Sequence, residues 1–307
     1  MASLRDIRNR IVSVQNTQQV TRAMKMVSAA KLRRAQERIF QTRPYAYKIG
    51  EIISHLKSQI DPATHVLFMP REKTDGALVV VVTADRGLAG AFNTNIIKVA
   101  ERTIAERYRE IHEQGNLYLI CIGRKGHEHF RKRGYQLVGD FRGVFDHLSF
   151  DTVQKVVRLV IDGYLEDRWD VVEVVYNEFK NTISQNRIAE PFLPLRGEQF
   201  TTPVMERTIE HRAELKEGQA LDYIFEPDAR AILDELVPRY LNYQLWRVLL
   251  ESNAAEQGAR MVAMDNATTN AEELIRDLRL KYNRARQDAI TKELIEITSG
   301  ADALESS

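Results

Sequence analysis

Near the N-terminus, positions 4, 7, 11, 14, 18, 21, 25, 28, 32, 35 and 39 follow a strict three-four spacing, the period of a coiled-coil seam. Leu4, Ile7, Ile11 and Val14 are apolar, Gln18, Thr21, Lys25 and Ser28 are polar or small, and Leu32, Ala35 and Ile39 are apolar again. One residue back, Val20, Met24 and Val27 form an apolar stripe that is expected to replace the seam across this interruption. Such a helix pairs with one partner over part of its length and faces something else elsewhere. About 40 continuous helical residues would span ~60 Å, more than a compact domain, so a projecting helix is predicted.

The C-terminal segment behaves alike. Ala271, Ile275, Leu278, Tyr282, Ala285 and Ala289 keep the three-four spacing, and upstream Ala254, Gly258 and Met261 favour close helix approach. A helix from Arg239 to Ser299 would approach ~90 Å, and two such helices at opposite ends of one chain pair most economically antiparallel. Pro238 is expected to kink this helix or to begin a second one after a start near Pro227-Asp228.

Between the ends the period changes. Ala77 to Thr83 is a β-branched apolar run, Gly90 to Glu113 is helical, Leu117 to Ile122 is apolar, and Lys125 to Lys132 is a short helix. Gln136 to Gly139 follows, then a helix from Phe150 to Asp167, a strand from Val171 to Tyr176 and an extended stretch from Ile188 to Leu193. This alternation predicts a mostly parallel, doubly covered sheet in a Rossmann-like α/β domain. The expected division is an N-terminal shaft helix over 1–60, an α/β domain over 75–195, a loop or foot over 196–226, and a C-terminal shaft helix over 227–300. The fold class is thus α/β with long helical arms.

Charge sharpens the contrast between the ends. The 307 residues carry 44 Lys and Arg against 43 Asp and Glu, a net +1 that excludes a simple basic nucleic-acid binder. Yet residues 1–43 hold ten cations and two anions, and residues 251–307 hold seven cations and eleven anions. The single Cys121 excludes an internal disulfide framework or a cysteine-clustered zinc site and fits a reducing compartment. Met1 to Asp6 has no apolar signal core, and the longest apolar run, Ala77 to Val82, falls far short of the ~20 residues of a bilayer span. Membrane association is expected only through partners.

Catalytic chemistry is sparse. The turn Thr83-Ala84-Asp85-Arg86-Gly87-Leu88-Ala89-Gly90 lies where a Rossmann fold places its phosphate loop, but with Gly only at 87 and 90 it fails both G-x-G-x-x-G and the Walker pattern. A tight turn feeding a helix is the expectation, and Gly123-Arg124-Lys125-Gly126 is expected to be solvated basic surface. His127 and His129 on one helix point about 200° apart, cannot share a metal, and are expected at the surface. No Ser/His/Asp set or distinguished carboxylate pair is identifiable. No cofactor is expected, and the balance moves from enzyme toward a mechanical part.

The ends carry a resemblance. Ser3-Leu4-Arg5-Asp6-Ile7-Arg8-Asn9-Arg10-Ile11 with Thr21-Arg22-Ala23-Met24-Lys25-Met26-Val27-Ser28-Ala29-Ala30-Lys31 closely resembles the N-terminal helix of the gamma subunit of F-type ATP synthases. Arg260 to Ala271, Tyr282 to Gln287, Ile290 to Glu296 and Ser299-Gly300-Ala301 resemble the same family, as do Thr83 to Gly90 and Leu221 to Asp228. The resemblance spans nearly the whole chain.

It implies an antiparallel coiled coil as the central rotor shaft of a proton-translocating ATP synthase, turning inside a ring of three alpha and three beta subunits. An α/β domain at the base would sit with the epsilon subunit on the membrane c-ring. Proton flow would turn the shaft, and the shaft would drive each catalytic beta site through its states by contacting one conformation better than the others. The chain itself would carry no catalytic residue, bind no nucleic acid, and meet the membrane only through the c-ring, on the cytoplasmic face of a bacterial inner membrane. Residue by residue, the resemblance implies contacts to the beta/alpha ring at Met24, Arg22, Lys25, Arg260, Gln287, Thr291, Glu293 and Glu296. It implies foot contacts to the c-ring and epsilon at Tyr223, Glu226 and Asp228, and a central-domain turn at Asp85 and Arg86. The paired-cysteine insert of chloroplast relatives is missing, which disfavours thiol switching. Two rivals remain at this level: an α/β nucleotide-binding protein with coiled-coil arms, and a coiled-coil nucleic-acid binder with steep salt dependence.

Overall fold

The computed structural model describes residues 3–59, 65–195 and 229–305. Tyr223, Glu226 and Asp228, the 197–219 segment and the Pro227-Asp228 start lie outside the described residues. Two compact units are present, one made of Met1–Ser28 with Met261–Ser307 and the other of Ala29–Arg260. Helix α1 (Leu4–Gln59, 56 residues) and the C-terminal helix Ala229–Glu305 (77 residues) each contribute to both.

In the first unit the two helices pair antiparallel. Gln18 Nε2 donates to Glu272 at 2.9 Å, the Thr21 and Thr268 hydroxyls meet at 2.8 Å, and Lys25 pairs with Asp265, so numbers fall along one helix as they rise along the other. Ala271, Ile275 and Leu278 are buried, with Tyr282, Ala285 and Ala289 half-buried behind them, as the spacing predicts. At the start of α1, Ser3 Oγ accepts from the Asp6 amide and Asp6 accepts from the Ser3 amide, a capping box that satisfies two otherwise free donors.

Val20, Met24 and Val27 do not replace the seam: Val20 and Val27 are more than half exposed, whereas Thr21 and Ser28 are buried. The polar seam stays inward because its hydroxyls are satisfied. The two hydroxyls share one hydrogen bond at 2.8 Å, and the one that does not donate across the interface donates within its own helix, Thr21 to Gln18 O at 3.0 Å or Thr268 to Met264 O at 2.8 Å.

The second unit is built on a five-stranded sheet of order β3-β2-β1-β4-β5. Along the chain come β1 (Ala77–Val82), α2 (Phe92–Arg107), α3 (Arg109–Glu113), β2 (Leu117–Ile122), α4 (Arg124–Lys132), β3 (Gln136–Leu137), α5 (Phe150–Leu165), β4 (Val171–Phe179) and β5 (Gln185–Leu193). The C-terminal helix, Ala229–Glu305, is α6. Strands β1 to β4 are parallel, and β5 returns antiparallel to β4. Alternation in β1 divides its side chains between two cores. Leu78, Val80 and Val82 pack with Val153, Val156, Val157 and Val160 of α5, Leu233, Val237, Leu241, Leu245 and Val248 of α6, and Ile49 and Ile53 of α1. Ala77, Val79 and Val81 pack with Ile96, Ala100 and Ile104 of α2 and Phe130 of α4. Burial on both faces is why β1 reads as an unbroken apolar run.

Pro238 does not begin a second helix, the alternative to a kink that the sequence offers. It lies inside α6, where Leu233, Val237, Leu241 and Leu245 are buried at helical spacing on the sheet. A proline in a helix interior costs about 3 kcal/mol, and burying this many aliphatic side chains at ~1.5–3 kcal/mol each outweighs it.

Candidate functional site

In a doubly wound sheet the ligand crevice opens at the carboxyl ends of the strands where the winding reverses, here between β1 and β4. The residues after β1 are the sequence-predicted turn. Ala84 is fully buried, and Asn93 Oδ1 accepts from its amide at 2.8 Å. Asp85, also buried, accepts from the Arg124, Gly143 and Phe145 amides at 2.9, 2.6 and 3.0 Å. Its carboxylate thus ties the start of α4 and the loop before α5 to the end of β1, and Arg86 outside it pairs with Asp146 at 2.8 Å.

The amides a phosphate would need at the start of α4 are already committed. Arg124 N–H goes to Asp85, Lys125 N–H to Ala84 O, and Gly126 N–H to Thr83 Oγ1. Gly123, at φ 101°, permits this closeness, since a Cβ there would lie 2.0 Å from Thr83 O. The backbone of Gly123 to Gly126 is therefore the packed first turn of α4, while Arg124 is exposed and Lys125 half-exposed at its surface, as expected of basic side chains there.

Helix α6 fills the crevice itself. Ala255 packs with Ala84, Ala89 and Phe92, joined by Phe179 and Ala259. Arg260, buried, donates to Gly87 O and to Glu256 one turn earlier. Burial raises the Glu256 pKa, and its bond to Arg260 acts against that rise. Upstream of the C-terminal seam, Ala254 packs with Leu32, Ala35 and Ile39 of α1, the close helix approach expected, while a Cβ at Gly258 would lie 3.4 Å from Thr182 O and 3.5 Å from the Phe179 ring.

The histidines differ from expectation. His127 is buried on the face of α4 that carries Gly126 and Phe130, and His129 is half-buried 2.8 Å from Glu101. Their position on a helix keeps them apart as predicted.

In the paired-helix unit, Arg22 is exposed, Met24 is half-buried, and Lys25 is held by Asp265. Gln287, Thr291, Glu293 and Glu296 are all exposed on α6, with Lys292 and Glu296 3.8 Å apart. Val20, Met26 and Val27 on α1 and Leu294, Ile295 and Ile297 on α6 leave apolar side chains in solvent.

Sequence reasoning missed a buried polar network. Arg247 of α6 donates to Gln244 Oε1 (3.0 Å), Tyr176 OH (2.9 Å) and Glu190 Oε1 (2.6 Å), and Tyr176 OH donates to the other Glu190 oxygen at 3.2 Å. Burial alone would lower the Arg247 pKa, but Glu190, Tyr176 and Glu251 outweigh it and hold the group charged. The signal was present: Arg247 is a lone cation in Leu245-Trp246-Arg247-Val248-Leu249-Leu250, and Glu190 a lone anion in the last extended stretch. Among the described residues no group of three or more His, Cys, Asp or Glu is placed to hold a metal. None of the described helices is long and apolar enough to cross a membrane.

Comparison with known proteins agrees with this architecture. The family model described as ATP synthase matches residues 3–304. The ATP synthase gamma chain of Salinibacter ruber is 63% identical over 307 residues, all of both chains, and that of Chloroherpeton thalassium is 51% identical over the same length. Among solved structures, a chain of the Euglena gracilis mitochondrial ATP synthase rotor aligns with a TM-score of 0.60 at 20% identity, covering 94% of this chain and 98% of that one. A chain of the Euglena OSCP/F1/c-ring assembly aligns with a TM-score of 0.62 at 19% identity, covering 99% and 95%. Matched over its full length at such identity, the chain belongs to the ATP synthase gamma chain family.

Proposed function

We propose that the chain is the central rotor shaft of a proton-translocating ATP synthase, a non-catalytic subunit that couples c-ring rotation to the states of three beta sites. The observation that carries this reading is the antiparallel pairing of the terminal helices through Gln18–Glu272, Thr21–Thr268 and Lys25–Asp265, with Val20, Met26 and Val27 left facing outward. A stiff helix pair with exposed apolar and basic side chains can favour one beta conformation only by contacting it better than the others, which is what coupling requires.

The ring contacts are assigned to Arg22, Met24, Lys25, Gln287, Thr291, Glu293 and Glu296, with Arg260 acting from the crevice. Residues 1–60 and 227–300 serve as the shaft and 75–195 as the α/β domain. Residues 196–226, through Tyr223 and Glu226, and Asp228 just beyond them meet the c-ring and epsilon. The assembly works on the cytoplasmic face of a bacterial inner membrane, which this chain reaches through the c-ring. The filled crevice and the committed amides of α4 argue against the nucleotide-binding alternative.

The test is complementation. Membranes from cells lacking the chain should not pump protons on ATP addition, and expressing it should restore pumping together with stoichiometric alpha, beta and epsilon on purification. Recovery of the chain with nucleic acid or bound dinucleotide, without alpha and beta, would refute the proposal.

A further inference from the structure

The α/β unit contains a charge whose role the fold does not explain. Arg247 is 4% exposed on α6, and the side chain it grips, Glu190 on β5, is 11% exposed. A buried ion pair adds little net stability, and well-packed apolar residues of the same volume often do as well or better. What a guanidinium adds is direction, because its planar fork holds partners at fixed angles while apolar contacts are non-directional. Here one fork fixes Gln244 on α6 itself, Tyr176 on β4 and Glu190 on β5.

The contact is not alone on the helix. One turn on, Glu251 accepts from the Phe179 amide at the end of β4 at 3.3 Å. Thirteen residues after Arg247, Arg260 donates to Gly87 O after β1. At roughly 100° and 1.5 Å per residue, Arg260 lies about 220° around α6 from Arg247 and ~20 Å along it. Directional contacts at two heights and on different sides oppose both turning of the helix about its axis and sliding along it. An apolar interface alone resists such shifts less, since its contacts can be exchanged for similar ones.

We propose that Arg247, held by Glu190, Tyr176 and Gln244, is a positioning residue that keys α6 to the sheet, so that torque on the α/β unit turns α6 instead of slipping past it. This rests on the rotor reading above. Its role is distinct from stability, because Glu190 and Tyr176 can be replaced together with Arg247, and Glu251, the buried carboxylate one turn on, keeps the Phe179 amide as its donor.

The experiment uses membrane vesicles with the assembled synthase carrying the triple variant Arg247→Met, Glu190→Leu, Tyr176→Phe. The expected result is a melting temperature and ATP hydrolysis close to wild type with a several-fold loss of protons pumped per ATP, greatest against an opposing gradient. Unchanged pumping under that load would overturn the proposal. Should the triple variant fail to fold, Arg247→Lys, which keeps the charge but loses the fork, takes its place. The same load-dependent loss is expected of it, and wild-type pumping would overturn the proposal equally. Failure of the wild-type chain to restore pumping would instead refute the rotor reading and leave a different signature, since no load dependence could then be measured.

Discussion

The α/β unit and the paired-helix unit are held together by different means. In the first, β1 is buried on both faces, and polar groups such as Asp85, Asp170 and Arg247 are placed where backbone amides or a counter-charge satisfy them. In the second, a single narrow seam is covered, its middle is polar, and Val20, Met26 and Val27 are 57, 63 and 56% exposed. The contrast separates two tasks. A unit with two complete cores can hold its own shape, whereas a helix pair with one seam leaves most of its surface for partners. Substitutions in the first should therefore act on stability, and those on the outer face of the second on coupling.

The largest effect is expected at Trp169. It is fully buried, donates from Nε1 to Val160 O at 3.0 Å, and sits so close to Gly163 that a Cβ there would lie 2.0 Å from the ring. Trp169→Ala should cost about 3–5 kcal/mol in urea unfolding of the full chain. A loss under ~1 kcal/mol would mean that the core collapses around the site. Next comes Asp85→Ala, which leaves three amides without their acceptor and should cost ~3 kcal/mol or more. Asp85→Asn, keeping one acceptor oxygen, should recover part of it.

The helix pair should respond more weakly. Replacing Thr21 and Thr268 together by Val removes both hydroxyls from the interface and should change stability by less than ~1 kcal/mol, since paired removal of a hydrogen bond is nearly neutral. A loss of several kcal/mol by the same assay would show that the polar seam carries far more of the unit's stability than its narrow burial suggests.

These comparisons indicate where the sequence was readable. The seam of α6 was legible because each of its positions is small or apolar, and the central strands because β-branched runs bounded by glycine leave little choice. The interruption at Gln18 to Ser28 is not legible locally, because polarity alone suggests an outward turn, while two hydroxyls that bond each other can stay buried. That the helix continues through Pro238 is not legible locally, because the aliphatic face that holds α6 on the sheet offsets the cost of the proline. The crevice residues Asp85 and Arg260 were singled out by resemblance, but what they touch depends on elements 39 to 173 residues away in the chain, which no local pattern reveals.

Smaller still at neutral pH is the effect of Cys121. Burial in β2 pushes its thiol from 9.0 up to about 12, so the folded state favours the neutral form. That contribution to stability is complete below pH 9 and is lost as pH rises through about 12, when the unfolded chain ionises more readily. Cys121→Ala should flatten this alkaline decline in a pH series of melting temperatures. An unchanged slope would mean that other groups cause it.

The basic face of α1 belongs to both units, Arg22 and Lys25 to the paired-helix unit and Lys31, Arg33 and Arg34 to the other, and all five side chains are at least partly exposed. Changing Arg22, Lys25, Lys31, Arg33 and Arg34 to Gln should alter the stability of the full chain little, since Gln keeps most of the helix propensity and exposed ion pairs contribute ~0–1 kcal/mol each. If acidic surfaces of the ring press on these cations, protons pumped per ATP should nevertheless fall in an intact complex. Unchanged coupling would remove the basic face from the mechanism.

The central claim is that this chain turns as a shaft, and rotation tests it most directly. With the chain assembled into an immobilised alpha-beta ring and a bead fixed to its α/β unit, ATP should drive continuous rotation in one direction. Steady ATP hydrolysis by the same complexes without any rotation of the bead would contradict the account.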